Sequence, residues 1–338
     1  MPTYIIVENL DIRSGRPPYT YKGREGIGSY ANNAAAIFIE KGRHITIRNC
    51  LLSDCGNGLF CASQSADILV EHCGLENNGI EDRFYEHNSY TEADGIIFQF
   101  NHYGPLRKGC LGNNLKDRSA GTVIRYNWIE DGNRQLDLVD SDHKALINNP
   151  DYRKTYVYGN ILIEGANEGN RQIVHYGGDS KDTERYRKGT LYFYNNTVIS
   201  TRPDRTTLFR LSSEGELADV WNNIFYVTNS GDQLAVSNAT GTIRLTGNWL
   251  KTDWRAGHGD LSGTVIDEHN LTGSYPGFIE QDSDEYHLAP ESDCRDTGID
   301  LLQNASPHPV RHEYVGERLT SPRHLDGKID LGAYEFVE

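Results

Sequence analysis

One short phrase recurs along this chain and restricts its fold more than any other feature. The segments IIVENLDI, ITIRNCLLS, ILVEHCGLE, IIFQFNHYG, TVIRYNWIE, TYVYGNILI, LYFYNNTVI, ADVWNNIFY and IRLTGNWLK align on one site, held by Leu10, Cys50, Cys73, Asn101, Asn127, Asn160, Asn196, Asn223 and Asn248. Three residues earlier stand Val7, Ile47, Val70, Phe98, Ile124, Val157, Phe193, Val220 and Leu245, all apolar. Two residues later come Ile12, Leu52, Leu75, Tyr103, Ile129, Leu162, Val198, Phe225 and Leu250, again all apolar. The successive spacings are 40, 23, 28, 26, 33, 36, 27 and 25, so the unit is a coil of roughly two dozen residues with insertions. That is the signature of a solenoid.

A second alternating segment follows each phrase, among them AAIFIE, NGLFCAS, NNLKDRS, RQLDLVD, RQIVHYG, TTLFRLS and DQLAVSN. Each coil therefore holds at least two short strands separated by Gly and Asn turns, with almost no helical periodicity. Stacked coils pair equivalent strands in parallel around one continuous core. Asparagines in one column suit inward turns, where side-chain amides can hydrogen-bond from coil to coil. Cys50 and Cys73 share that column and read as small buried residues.

Composition removes several function classes. With 48 acidic and 33 basic residues the net charge is −15, which disfavours nucleic acid as a partner. Six cysteines in 338 residues are too few for a disulfide scaffold, and no Cys/His spacing marks a metal site. No apolar run is long enough to span a bilayer. Met1 is not followed by signal-peptide regions, and residues 4 to 12 already form a coil strand, which predicts a lost leader or cap.

The second strands carry the chemistry. With Leu59, Leu115, Leu136, Ile173, Leu208 and Leu234 inward, the outward column is expected to read Phe38, Phe60, Tyr90, Lys116, Asp137, Val174, Phe209, Ala235. A second outward column would hold Glu92, Arg118, Val139 and Tyr176, while His175 and Arg210 fall inward unless the register slips. Neighbouring strands lie ~4.8 Å apart, so these side chains fit the footprint of one or two sugar rings. The long turns 76 to 88, 104 to 114, 139 to 154 and 176 to 190 would wall a groove over the same coils. Residues 104 to 129 hold Arg107, Lys108, Lys116, Arg118 and Arg125 against Asp117 alone, a positive stretch that suggests an anionic ligand.

The coils over residues 4 to 250 resemble the right-handed parallel β-helix of the pectin-lyase-like superfamily. The ending DCRDTGID…SPRHLDGKIDLGAYEF is similar to the terminal segment of bacterial extracellular proteins of that fold. The resemblance implies an all-β, right-handed parallel β-helix of about nine or more coils over residues 1–275, long loops flanking one face, and a segment 276–338 packed on or capping it. It also implies an extracellular or periplasmic location and an enzyme acting on polysaccharide. KDRSAGTVIRYN is broadly similar to the Lys-Ser segment of the alginate lyase and chondroitinase B family; aligned on Asn127, that family's lysine falls on Arg118 and its arginine on Val139.

β-Elimination from an acidic, uronate-containing polysaccharide gives the charged residues defined tasks. Arg118 would hold the carboxylate, Lys116 or His87 act as base, and Tyr90 protonate the leaving oxygen, with Asp137 beside them. Phe60, Glu92, Arg107, Arg134, His175 and Tyr176 are the expected substrate-binding residues. No cofactor or metal is required, and participation of calcium stays open, as does the oligomeric state. One alternative is a glycoside hydrolase pairing Asp137 with Asp140, Asp142 or Glu92. Another is a noncatalytic carbohydrate-binding or tailspike-like module that stacks aromatic rings on sugars.

Overall fold

The computed structural model describes residues 1–166, 169–279, 285–325 and 327–337. Apart from two short antiparallel pairs, its strands form three parallel ladders, so each complete coil is a three-sided turn of a parallel β-helix. The first ladder runs from Thr3–Glu8 through Ala120–Arg125, Lys154–Tyr158 and Thr190–Tyr194 to Thr264–Glu268. The second is a stack of ten short strands from Asp11–Arg13 to Leu271–Gly273. The third comprises Leu115–Asp117, Leu136–Leu138, Gln172–Tyr176, Thr206–Leu211, Leu234–Ser237 and Arg255–Gly257. Near the amino terminus the long strands Ala35–Arg48, Asn57–Glu71 and Ser89–Gln99 join the third ladder to the first.

The recurring phrase is the corner between the first and second ladders. The residue just before the column lies in the left-handed region in coil after coil, as at Asn49 (φ 51), Phe100 (φ 58), Tyr126 (φ 57), Gly159 (φ 65) and Asn222 (φ 56). This conformation turns the chain sharply and explains the frequency of Asn and Gly there. The next residue points inward. Asn160 Nδ2 donates to Asn196 Oδ1 (3.0 Å) and to the carbonyls of Ile124 and Tyr158 (both 3.0 Å), while its Oδ1 accepts from the Asn127 amide (2.9 Å). The ladder runs from Asn101 through Asn248 and continues to Asn270, one coil beyond the repeat read from sequence. Cys50 and Cys73 replace the amide at its amino-terminal end, both fully buried with thiols against backbone carbonyls.

The apolar columns fill the interior. The carboxy-terminal segment lies along the outside of the coils. Phe278, Tyr286, Leu288, Tyr314, Leu331 and Tyr334 pack on Trp128, Ile161, Ile199, Ile224 and Trp249 of the second ladder. Ile299, Leu301 and Val310 pack on the cluster of the first ladder in which Tyr126 meets Tyr158 edge-on and Tyr158 stacks on Tyr194. The outer face of the third ladder is left to the insertions.

On that face the register differs from simple alternation. Leu136 pairs with Val174 and Asp137 with His175, which in turn pairs with Arg210, so the outward column reads Phe60, Tyr90, Lys116, Asp137, His175, Arg210. The expectation of Val174 and Phe209 facing out is overturned, since both are core residues. Tyr176, expected on the groove, is fully buried, as is Val139. Ile173–Val174 and Leu208–Phe209 offer an apolar residue in either register. What selects between them is the need of the imidazole and the guanidinium for polar surroundings: His175, though buried, bonds Asp137 and Ser212 on the outer side, partners the apolar interior does not offer.

Candidate functional site

A cleft of about 430 Å³ opens over this column, lined by Phe84, Tyr85, His87, Tyr90, Leu111, Asn113, Lys116, Arg118, Asn133, Arg134, Asp137, His175, Asp179 and Arg210. Strand positions supply Tyr90, Lys116, Asp137, His175 and Arg210, so adjacent rungs set their spacing. The turns supply the walls: Phe84 and Tyr85, strongly exposed, come from the first insertion, Leu111 and Asn113 from the second, and Asp179 from the fourth. The insertion 139–154 works from behind. The Asp140 carboxylate accepts from the backbone amides of Asp179 (2.7 Å) and Ser180 (3.2 Å), and the Asp140 carbonyl accepts from Arg118.

Asp137 is the hub. Its carboxylate, 2% exposed, accepts from Lys116 Nζ (2.5 Å), Asn113 Nδ2 (2.7 Å) and His175 Nδ1 (2.7 Å), with the Arg134 guanidinium 4.0 Å away. Burial alone would push its pKa up, but Lys116, the His175 bond and Arg134 outweigh burial and hold it well below the usual carboxylate range. Asp179 spans both neighbouring cations. It accepts from Lys116 Nζ at 2.6 Å and from Arg118 at 2.8 and 3.0 Å, and these two cations overcome its partial burial and lower its pKa.

Lys116 does not fit the expected role of base. Burial pulls its pKa down, but Asp137 and Asp179 reverse that and raise it, so the group stays an ammonium ion. His87 fails as a base for a different reason. The Asn113 backbone N–H, which can only donate, ends on His87 Nδ1 at 2.9 Å, so the ring proton sits on Nε2. Burial, reinforced by Lys116, lowers its pKa to about 3. His87 is a neutral donor. Arg118 is held protonated and engaged throughout: Nε donates to Tyr90 Oη at 3.0 Å, and the terminal nitrogens meet the Asp140 carbonyl and Asp179. Because Tyr90 Oη accepts from Arg118, its own proton is free to be donated.

His175 joins the cleft through the register change. Its Nδ1–H faces Asp137, so Nε2 accepts from the Ser212 hydroxyl at 2.9 Å, and that hydroxyl accepts from the Gly178 amide at 2.8 Å. Arg134 donates to Gln172 Oε1 at 2.7 and 3.1 Å.

The remaining expected residues lie elsewhere. Phe60 sits one rung beyond Tyr90, against its ring (centroids 5.1 Å apart) and outside the lining. Arg107 is tied to Asp54 (2.5 Å) and to the Asn77 and Gly79 carbonyls. Glu92 bonds Ser141 and faces His143, and burial raises its pKa. Asp142 is an exposed partner of Arg185. Asp137 and its expected hydrolytic partners therefore do not flank a common space: Asp140 and Glu92 stand behind the cleft wall and Asp142 faces solvent.

Asp179, Arg210 and Asn113 were not anticipated as site residues. For Arg210 a signal existed, the improbability of a buried guanidinium. For Asp179 there was none, since GGDSKDTERYRK offers several equivalent charges and no period. No protein-family model matches the chain, and no curated protein is significantly similar to it.

Proposed function

We propose that the chain is a polysaccharide lyase of the pectin-lyase-like kind, cleaving an acidic, uronate-containing polysaccharide by β-elimination in this cleft. The observation that carries the reading is the grip of Lys116 and Arg118 on a single carboxylate, that of Asp179, with the Tyr90 hydroxyl 3.0 Å from the same guanidinium. A uronate carboxylate replacing the Asp179 side chain, which is 32% exposed, would meet the same two cations and leave the charge balance unchanged. Those cations would stabilise the enolate-like charge that develops when the adjacent carbon loses its proton.

Proton transfer falls to Tyr90 rather than to Lys116 or His87. In this reading Tyr90 Oη takes the carbon-bound proton and delivers it to the departing glycosidic oxygen. His87 Nε2–H and Arg134 orient the sugar, His175 holds Asp137 in place beneath them, and Phe84 and Tyr85 offer faces for stacking. The hydrolase alternative has less support, because Asp137 and Asp179 are both held ionised and neither can serve as the acid.

The test offers a panel of uronic-acid polymers and follows ultraviolet absorbance of the unsaturated product. Rising absorbance, lost in Tyr90→Phe, is the expected result. New reducing ends without absorbance would replace elimination with hydrolysis, and retention without cleavage would leave a carbohydrate-binding module.

A further inference from the structure

Among the cations of the cleft, Arg210 stands apart. Lys116 and Arg118 are each saturated by carboxylates, and Arg134 is bonded to Gln172. The Arg210 side chain makes no hydrogen bond or ion pair with another described residue, although it lines the cleft and is only partly exposed. It pairs on the ladder with His175, and Arg134 approaches the same histidine from the other side through Asp137. Two guanidinium groups thus flank a neutral imidazole, with Asp137 at 4.0 Å from Arg134 as the nearest counter-charge and already shared by Lys116 and His175. Mutual repulsion at this spot is relieved by an anion from outside.

We propose that Arg134 and Arg210 form a second anion seat, in which no carboxylate of a described residue ion-pairs with Arg210, and which receives an acidic group of the ligand further along the cleft from Lys116 and Arg118. Calling that group a second uronate carboxylate rests on the proposed function; the seat itself does not. Its position along the ladder means that a chain lying across the coils meets both seats. The cleft then selects a ligand with at least two acidic groups over one with a single charge. Planar guanidinium forks suit carboxylate or sulfate better than neutral hydroxyls.

Arg210→Gln is the informative variant because it breaks no side-chain bond to a described residue. Melting temperature is measured with and without inorganic sulfate, and tetragalacturonate binding by calorimetry. Expected are an unchanged or raised melting temperature without ligand, loss of the sulfate-induced rise, and about tenfold weaker tetragalacturonate binding, with Arg210→Lys intermediate. An equal sulfate-induced rise in wild type and Arg210→Gln, or no rise in wild type, overturns the seat. Arg210-dependent sulfate binding without elimination of any polyuronate would remove the proposed function and keep the seat. Elimination with unaltered sulfate and tetragalacturonate binding in Arg210→Gln would do the reverse.

Discussion

At the scale of single residues, the site is a balance of charges rather than a set of independent groups. Asp179 is the adjustable member, being the most exposed of the carboxylates that contact Lys116 and Arg118. Asp179→Asn keeps its shape but frees positive charge, so anionic oligosaccharides should bind roughly tenfold tighter, which titration calorimetry would read directly. Unchanged or weaker binding would mean that the ligand does not replace Asp179. His87 gives a pH signature of folding. Its folded pKa of about 3 lies below the ordinary 6.5, so the neutral ring contributes stability that is complete above 6.5 and lost as pH falls towards 3. Between those limits the slope approaches about 1.4 kcal/mol per pH unit. His87→Gln should flatten it in urea unfolding measured across that range.

Elements show why part of the architecture was legible and part was not. The Asn column could be read because apolar positions three before and two after it repeat in coil after coil. It was lost at Asn270 because the position three residues earlier is Asp267. On the third ladder, consecutive apolar pairs made two registers equally apolar, and only the polarity of His175 and Arg210 distinguished them. The loops carry no period, so Asp179 and the anchor that holds its loop were invisible. That anchor is Arg187, fully buried and donating to the carbonyls of Val139 (3.1 Å) and Ser119 (2.9 Å), with the Asp117 carboxylate at 3.5 Å. Arg187→Met should destabilise the fold by about 3–5 kcal/mol, since it strands a buried carboxylate and several carbonyls. In the corner ladder, Asn160→Leu should lose about 2–4 kcal/mol by breaking amide contacts to the coils on either side. Denaturant titration distinguishes both from surface changes, which stay within about 0.5 kcal/mol.

For the whole molecule, two fields of opposite sign act on an approaching polyanion. The chain carries a net charge of −15, while the cleft gathers Lys116, Arg118, Arg134 and Arg210 against Asp137 and Asp179. Far from the protein the net charge repels; inside the cleft the local excess of cations attracts. Salt separates the two by distance, because the Debye length shrinks from ~30 Å at 0.01 M to ~8 Å at 0.15 M. Added salt therefore first removes the long-range repulsion and only later weakens the contacts within the cleft. The association rate of a uronate oligosaccharide, followed by stopped flow, should rise as salt increases from about 10 mM to about 100 mM and fall at higher concentration. Arg210→Gln should lower the whole curve and move its maximum to higher salt, because the local attraction that competes with the repulsion is smaller. A rate that falls monotonically from the lowest salt would mean that the cleft's field reaches beyond the molecular surface and outweighs the net charge at every distance.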